Sequence, residues 1–327
     1  MCSSTCAERV SKAVIITMTI FVLCRTKPRV KRSRSWTWFM GEIPFLQSTR
    51  KCQYRRRKVM LEEIQTIEVT LSEELEKIEL FSIGDTHEGE EQFCSDTLDG
   101  LINYILEKPY RYVILNGDLI NNAIKTSVSD IYDEQSFPEE QIARVARRFM
   151  PIRDRILAMG SGNHEERTKK ATGLDPSRYL SVRLGLEERY SPNSFLLFIS
   201  VGRSHNTRQS NLKQQVYAIF SQHGYGGGKK NGSKLNNLND ADKIVADADL
   251  YIMNHTHTPI LNSMRSFVCD FQNRKVNEKK KYYLMANAFM RFGGYGLRFG
   301  FAPAALDITY ATFYTQGRKK VTLTLGV

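Results

Sequence analysis

The chain has 327 residues, of which 41% are hydrophobic, 25% charged and 10% aromatic, a composition that excludes collagenous, low-complexity and wholly disordered proteins. Its apolar runs all fall short of the ~18 residues that span a bilayer, which excludes a polytopic membrane protein. The net charge of +12 lies in residues 1–59, which hold 14 of the 47 Lys and Arg and two of the 35 Asp and Glu, leaving 33 of each sign in residues 60–327.

The segment 1–59 also differs from the rest of the chain in holding both tryptophans and four of the six cysteines. Three interpretations stay open. The apolar run Ala13–Cys24 is typical of a signal or anchor segment, although no cleavage site follows it. The basic stretch Arg25–Arg34 is typical of an arm that attracts nucleic acid or an anionic surface. We favour the third, in which the protein begins at Met60, because the codons for Arg55–Val59 can resemble a ribosome-binding site.

Residues 60–327 are predicted to form one α/β domain, because short apolar runs alternate with amphipathic segments. Its two remaining cysteines, Cys94 and Cys269, do not form a disulfide framework, which favours a cytoplasmic protein. Strands are predicted at 77–83, 112–116, 155–159, 215–220 and 249–253. Helices are predicted at 90–106, 138–149 and 234–248. The C-terminal third is predicted to add strands of a second sheet at 282–286, 307–314 and 320–325.

Polar side chains follow the first five predicted strands, each at the point where the strand ends. These motifs are Asp85-Thr-His87, Gly117-Asp118, Gly162-Asn163-His164-Glu165, His223-Gly224 and His255-Thr-His257. The carboxyl ends of strands in open α/β sheets are where ligand sites form, so the five loops can converge. Carboxylates, an amide oxygen and imidazoles together suit two divalent first-row ions about 3.5–4 Å apart, with Asp118 as the simplest bridge.

This ordered set of motifs resembles the calcineurin-like metallophosphoesterase superfamily, over Lys77–Pro259 and in all five motifs. The stretch Asn287–Gly296 is further similar to phage and bacterial members. The resemblance implies a four-layer αββα sandwich of two mixed sheets with the dimetal site at the strand ends. It also implies that one metal is bound by Asp85, His87, Asp118 and His257, and the other by Asp118, Asn163, His223 and His255. The chain departs from the family at Asn254, where the last motif usually has glycine.

The resemblance gives His164 the role of general acid, with Glu165 as an orienting partner, while a hydroxide that bridges the metals attacks phosphorus. We therefore expect a metal-dependent phosphoester hydrolase, first a phosphodiesterase that cleaves nucleic acid or a nucleotide. A phosphomonoesterase is the alternative, and a non-catalytic scaffold is a weaker one. Manganese is the expected metal, and Fe, Zn, Ni and Co fit the same ligands. No stable membrane association is expected.

Two further segments near the motifs suggest contacts with substrate. Gly224–Lys234 offers flexible backbone N–H groups and three lysines that could hold a phosphate, or it is a solvated loop; it does not match a P-loop. Arg291 and Arg298, set among aromatic residues, could approach a phosphate or stack on a base, or they cover a sheet edge. His205 has no partner motif and is expected to be a loop residue.

Overall fold

In the computed structural model, the described residues are 64–72, 74–124, 127, 136–201 and 215–326, and they belong to one compact unit. The segment 1–59, with every prediction made for it, and His205 lie outside these ranges. Among the described residues, no helix combines the length and the apolar character that crossing a bilayer requires.

Two mixed sheets form the centre of the described fold. The six-stranded sheet has the order β1-β5-β6-β7-β9-β8, and the five-stranded sheet has the order β11-β10-β2-β3-β4. The strands are β1 Ile64–Thr70, β2 Lys77–Ile83, β3 Arg111–Asn116, β4 Ile156–Gly160, β5 Ser194–Val201, β6 Gln215–Ser221, β7 Leu250–Met253, β8 Ile260–Asp270, β9 Lys275–Met285, β10 Thr309–Tyr314 and β11 Lys320–Leu325.

The described helices are α1 Ser95–Leu106, α2 Pro138–Phe149, α3 Asn163–Thr172, α4 Pro176–Leu184, α5 Asn231–Asn239 and the short α6 Gly294–Arg298. Helices α1, α2 and α4 pack on the outer face of the five-stranded sheet, and α5 packs on the outer face of the six-stranded sheet. Short 3₁₀ turns cover Met150–Arg155, Glu187–Arg189 and Asp240–Lys243. The predicted limits of α2 are confirmed. The helix has Pro138 and two glutamates in its first turn and two arginines in its last turn, which is the distribution that proline geometry and the helix dipole favour.

Alternation along the strands divides the core into layers. In β2, Ile78 and Leu80 pack between the two sheets, whereas Phe81 and Ile83 pack against α1, α2 and α4. On the far side, Tyr251 of β7 packs with Leu238 of α5. Side chains of a strand point alternately to opposite faces, so each sheet buries both faces. The order helix, sheet, sheet, helix confirms the expected four-layer sandwich.

Some predicted elements differ from the structure. Helix α1 begins at Ser95 rather than at residue 90, because the preceding residues pair with other segments and the Cys94 N–H donates to the Phe289 carbonyl at 2.8 Å. Helix α5 ends at Asn239 rather than continuing to 248. The Tyr251 hydroxyl donates a hydrogen bond to the Val245 carbonyl and accepts one from the Ala248 N–H. These contacts take the place of helical backbone hydrogen bonds at 245–248.

The C-terminal strands do not form a sheet of their own, so that expectation was wrong. Strand β9 pairs in parallel with β7 in the six-stranded sheet, whereas β10 pairs antiparallel with β2 and extends the five-stranded sheet. C-terminal strands thus complete both sheets. The five-stranded sheet is mixed because β10 and β11 pair antiparallel, whereas the six-stranded sheet is mixed through the antiparallel pairs β5–β6 and β8–β9. Strands β1, β5 and β8 were not predicted, although β5 alternates buried and half-buried residues along its length.

Candidate metal centre

The predicted metal ligands come from both sheets and meet at the carboxyl ends of the strands. Asp85 and His87 follow β2, Asp118 follows β3, and Asn163 follows β4 as the first residue of α3. His223 follows β6, and His255 and His257 follow β7. In three overlapping groups, the ligand atoms lie within 4.8 Å of one another. These groups are Asp85–His87–His257, Asp118–His223–His255 and His87–Asp118–His164.

The first of these groups surrounds the Asp85 carboxylate. Its Oδ2 accepts the His255 backbone N–H at 2.8 Å, and its Oδ1 lies 3.6 Å from Nε2 of His257. Asp85 is fully buried, and Oδ1 has no hydrogen-bond partner within the described part of the chain. A buried carboxylate oxygen without a partner is costly, so this atom is suited to bind a cation.

Around His223, the electron lone pairs of three side chains face one another. The Nδ1 atom of His223 donates to the Asn116 carbonyl at 2.8 Å, so the lone pair of the neutral ring is on Nε2. That Nε2 atom lies 3.1 Å from Oδ2 of Asp118 and 3.1 Å from Oδ1 of Asn163. Three acceptor atoms this close require a proton or a metal ion between them.

The charges around His223 also favour a cation at this site. Burial lowers the pKa of His223, but the Asp118 and Asp85 carboxylates outweigh it and raise that pKa to about 10. Burial raises the pKa of Asp118, but the neighbouring imidazoles outweigh burial and hold the pKa well below its usual range. The site therefore favours a positive charge among its carboxylates. A divalent ion supplies such a charge, and the oxygen and nitrogen atoms of the site are suitable ligands for it.

Glycines bring the loops of Asp118 and Asn163 into contact. A Cβ on Gly117, where φ is +82°, would lie 2.4 Å from the Gly162 nitrogen. A Cβ on Gly162 would lie 2.2 Å from Oδ1 of Asp118. Both distances are too short for any side chain, so the Gly-Asp and Gly-Asn motifs have a steric cause.

Several ligands have backbone conformations that L residues rarely adopt. The φ angles are +51° at Asp85, +46° at His87, +50° at Asp118, +69° at His255 and +53° at His257. Each such conformation costs about 1–3 kcal/mol and occurs mainly at functional sites. Hydrogen bonds hold the first loop in place, since both Thr86 and His87 donate backbone N–H groups to the Asp118 carbonyl, at 3.0 and 3.1 Å.

His164 lies beside the ligands, with its ring fixed by a backbone contact. Its Nδ1 atom donates to the Asn121 carbonyl at 2.7 Å, and its Nε2 lies 3.8 Å from Oδ2 of Asp118. Burial, supported by the charge of Arg167, lowers the pKa of His164 although Asp118 opposes this effect. The ring therefore presents Nε2 to the predicted ligands.

Glu165 contacts the backbone of the ligand loops. Its carboxylate accepts N–H groups of Asp118 at 3.0 Å, Leu119 at 2.7 Å, Ile120 at 3.3 Å and Gly162 at 3.1 Å. Burial and the Asp118 charge raise the pKa of Glu165 to about 7, while the N–H donors favour its ionised form. The contact to Nδ1 of His164 is thus made by the Asn121 carbonyl, whereas the Glu165 carboxylate contacts the backbone of the Asp118 loop and of Gly162.

Asn254 ties the two sheets together beneath the ligands, a role that none of the five motifs indicated. Its Oδ1 accepts Ser82 Oγ and Asn116 Nδ2, both at 2.8 Å. Asn116 in turn accepts Ser221 Oγ at 3.1 Å and donates to the Gln222 carbonyl at 2.9 Å. Polar residues on the inner faces of three strands were the available signal, since buried polar groups require partners.

A cavity of about 310 Å³ opens from the ligands toward the glycine-rich segment and Arg291. Gly226, Gly227, Gly228 and Lys234 of the glycine-rich segment line it, and so does Arg291. The Lys234 ammonium donates to the Thr256 carbonyl at 3.2 Å and to the Thr258 hydroxyl, which fixes the segment beside His257. Arg167 of α3 also lines the cavity and was not anticipated.

Comparisons with known proteins find similar folds at low identity. No protein-family model matches the chain, and no curated protein matches it. A calcineurin-like phosphoesterase of Bacillus subtilis is 11% identical over 76% of this chain and 90% of its own, with a TM-score of 0.33. A Streptococcus pneumoniae protein described as a predicted phosphoesterase is 13% identical over 76% and 90%, with a TM-score of 0.30.

An NAD nucleotidase of Haemophilus influenzae is 13% identical over 75% of this chain and 49% of its own, with a TM-score of 0.36. These structures include the family that the five motifs resemble. The likeness to these structures concerns the fold, and the support for a function comes from the motifs and from the geometry of the centre.

Proposed function

We propose that this chain is a metal-dependent phosphoester hydrolase and that its preferred substrate is a phosphodiester. The observation that carries the proposal is the opposed set of acceptors at His223, Asp118 and Asn163, next to the unpartnered Oδ1 of Asp85. Two divalent ions would be held by the two ligand sets, with Asp118 common to both. When bound, they would activate a water molecule and neutralise charge on the phosphate oxygens.

The protein's own residues have separate tasks in this reaction. The Asn121 carbonyl fixes the tautomer of His164, so Nε2 is the atom that carries a proton to the leaving oxygen. Glu165 holds the backbone of Asp118 rigid. Lys234 and Arg291 line the cavity, where their charges favour an anionic substrate.

The preference for a diester is based on the shape of the cavity. A phosphodiester carries two organic groups, and the cavity offers apolar surface beyond the polar centre, from Ala288 to Leu306. A phosphomonoester needs room for one group only. Cleavage of a monoester in preference to a diester would therefore favour the alternative, a phosphatase.

The test compares hydrolysis of bis-p-nitrophenyl phosphate with that of p-nitrophenyl phosphate by the full chain, with manganese and with EDTA. We expect manganese-dependent cleavage of the diester. Asp85→Asn should abolish it, whereas the matched control Asp96→Asn, on the exposed start of α1, should retain it. A metal-loaded protein that cleaves neither ester would contradict the proposal and favour the non-catalytic scaffold.

His164→Ala separates the proton carrier from the metal ligands. This variant should bind manganese as the wild type does, measured as metal content, but should lose about 10²–10⁴-fold in kcat, the usual contribution of general acid catalysis. The loss should be smaller for substrates with a good leaving group, because these need less protonation. Loss of metal content together with activity would show that His164 is a ligand instead.

A further inference from the structure

The cavity beside the metal ligands has two chemically different walls. One wall is formed by His164 and by five of the predicted ligands, which are His87, Asp118, Asn163, His255 and His257. The other is the segment 288–306, which contributes Met290, Phe292, Phe301 and Leu306. A polar centre facing an apolar wall is the usual composition of a small-molecule site, and 310 Å³ lies near the lower end of the range of about 300–1,000 Å³.

The apolar wall is held in a fixed place relative to the ligands. The Phe289 N–H donates to the Asp85 carbonyl at 3.2 Å, at the start of the segment. Two residues later, the Arg291 N–H donates to the Gln92 carbonyl at 2.8 Å. Gly294, at a φ of +47°, passes so close to Gln92 that a Cβ would lie 2.7 Å from the side-chain oxygen. The wall is therefore part of the same rigid unit as the first ligand loop.

Phe292 leaves an aromatic face available at this wall. Its side chain is 50% exposed, although it lines the cavity, and its ring lies beside Gly296. Exposed aromatic surface next to a polar centre marks a place for a ligand rather than for the protein core. Arg291 and Arg167 line the same cavity, which therefore offers cationic groups as well as aromatic surface. Aromatic and arginine side chains together bind nucleobases by stacking.

We infer that the apolar wall binds the flat aromatic group of a small phosphodiester, of the nucleoside type, while its phosphate lies at the metal ligands. This inference rests on the proposed function and names its substrate class. A long nucleic acid is disfavoured, because residues 60–327 hold equal numbers of acidic and basic side chains and therefore lack the net positive charge that is typical of domains that bind a polyanion. The wall then selects the substrate by its aromatic group.

The test is a binding measurement that does not depend on turnover. Calorimetry on the manganese-loaded full chain compares adenosine 5′-monophosphate with ribose 5-phosphate, which share the phosphate and the sugar and differ in the base. Stacking of one base should make the nucleotide bind roughly tenfold or more tightly. Phe292→Ala should remove most of this preference. The matched control Phe299→Ala, in the same segment but outside the cavity lining, should retain it.

The possible results separate the inference from the proposed function. Equal affinities for the two ligands, or a preference unchanged by Phe292→Ala, would overturn the inference even if bis-p-nitrophenyl phosphate is cleaved. A preference that depends on Phe292 in a protein that cleaves no phosphoester would support the site and overturn the activity. Circular dichroism checks the fold of each variant. Leu306→Ala, on the same wall, repeats the test if Phe292→Ala does not fold.

Discussion

The Nε2 atoms of His87 and His257 lie 3.2 Å apart, although the two residues belong to loops of different sheets. Their rings are tilted by 52°, with the centroids 5.1 Å apart. Asp85 Oδ1 lies 3.6 Å from the same atom of His257. A contact between two imidazole nitrogens contributes little to folding, so the arrangement is best explained as a site for a cation that joins the two sheets.

The first prediction concerns stability gained from metal. Manganese at about 100 times its dissociation constant should stabilise the chain by about 2.7 kcal/mol, because it binds the folded state alone. His257→Ala should reduce both the bound manganese and the rise in Tm. In EDTA the variant should melt close to the wild type, because the half-exposed ring has few packing contacts to lose. Thermal melts with and without manganese measure this, and an equal rise in both proteins would contradict it.

The second prediction concerns Glu165 as a support for the Asp118 loop. Glu165→Ala leaves buried N–H groups without an acceptor and should lower the free energy of unfolding by about 3 kcal/mol or more, at about 1–3 kcal/mol for each unsatisfied group. Glu165→Gln keeps one acceptor oxygen and should cost less. Both should lose metal binding, because Asp118 is displaced.

The control for Glu165 is its neighbour Glu166, whose side chain is exposed and pairs with Lys170 four residues later. Glu166→Gln should change the free energy of unfolding by less than about 0.5 kcal/mol, as expected for a surface pair. Urea denaturation of the three variants decides the matter. If Glu165→Ala is as stable as the control, the backbone contacts do not carry the role assigned to them.

The sequence predicted which polar residues meet at the strand ends better than it predicted the elements around them. Asp85, His87, Asp118, Asn163 and His223 each follow a buried apolar strand, and parallel strands place their carboxyl ends at one edge. This rule needs no knowledge of contacts. The pairing of β10 with β2 was not accessible in the same way, since apolar alternation shows that a strand has a buried face but not which sheet receives it.

The contacts of the supporting residues were not accessible from the sequence either. The family resemblance implied that Glu165 orients His164, but consecutive residues of a helix do not face each other. At the start of α3, the Glu165 side chain turns back to the backbone of the chain before the helix, as a carboxylate in the first turn does. Asn254 stands at the position of the last motif where the family usually has glycine, and it was considered only as that replacement. Its contacts with Ser82 and Asn116 required the structure.

The third prediction concerns the glycines that bring the ligand loops together. Gly162→Ala places a Cβ 2.2 Å from Oδ1 of Asp118 and should abolish metal binding, because the carboxylate must move. The control is Gly100, within α1, where an added Cβ meets no atom within 4 Å. Gly100→Ala should stabilise the chain by about 0.5–1 kcal/mol, since alanine is the better helix former. Manganese titration and denaturation test the pair, and a Gly162→Ala protein that binds two manganese ions would contradict the steric argument.

The fourth prediction couples Gly84 to Asn254. A Cβ on Gly84 would lie 2.7 Å from Nδ2 of Asn254 and 3.0 Å from the Gly117 carbonyl oxygen, so Gly84→Ala should cost about 1–3 kcal/mol by overpacking. Asn254→Gly leaves Ser82 and Asn116 without their common acceptor and should cost about 2 kcal/mol or more. Because Asn254→Gly also removes the nearest atom to the new Cβ, the double variant should be more stable than the sum of the two losses predicts. Contacting residues usually show coupling of about 0.5–3 kcal/mol. Urea denaturation of the four proteins measures this coupling, and strict additivity would show that Gly84 is constrained by the Gly117 carbonyl rather than by Asn254.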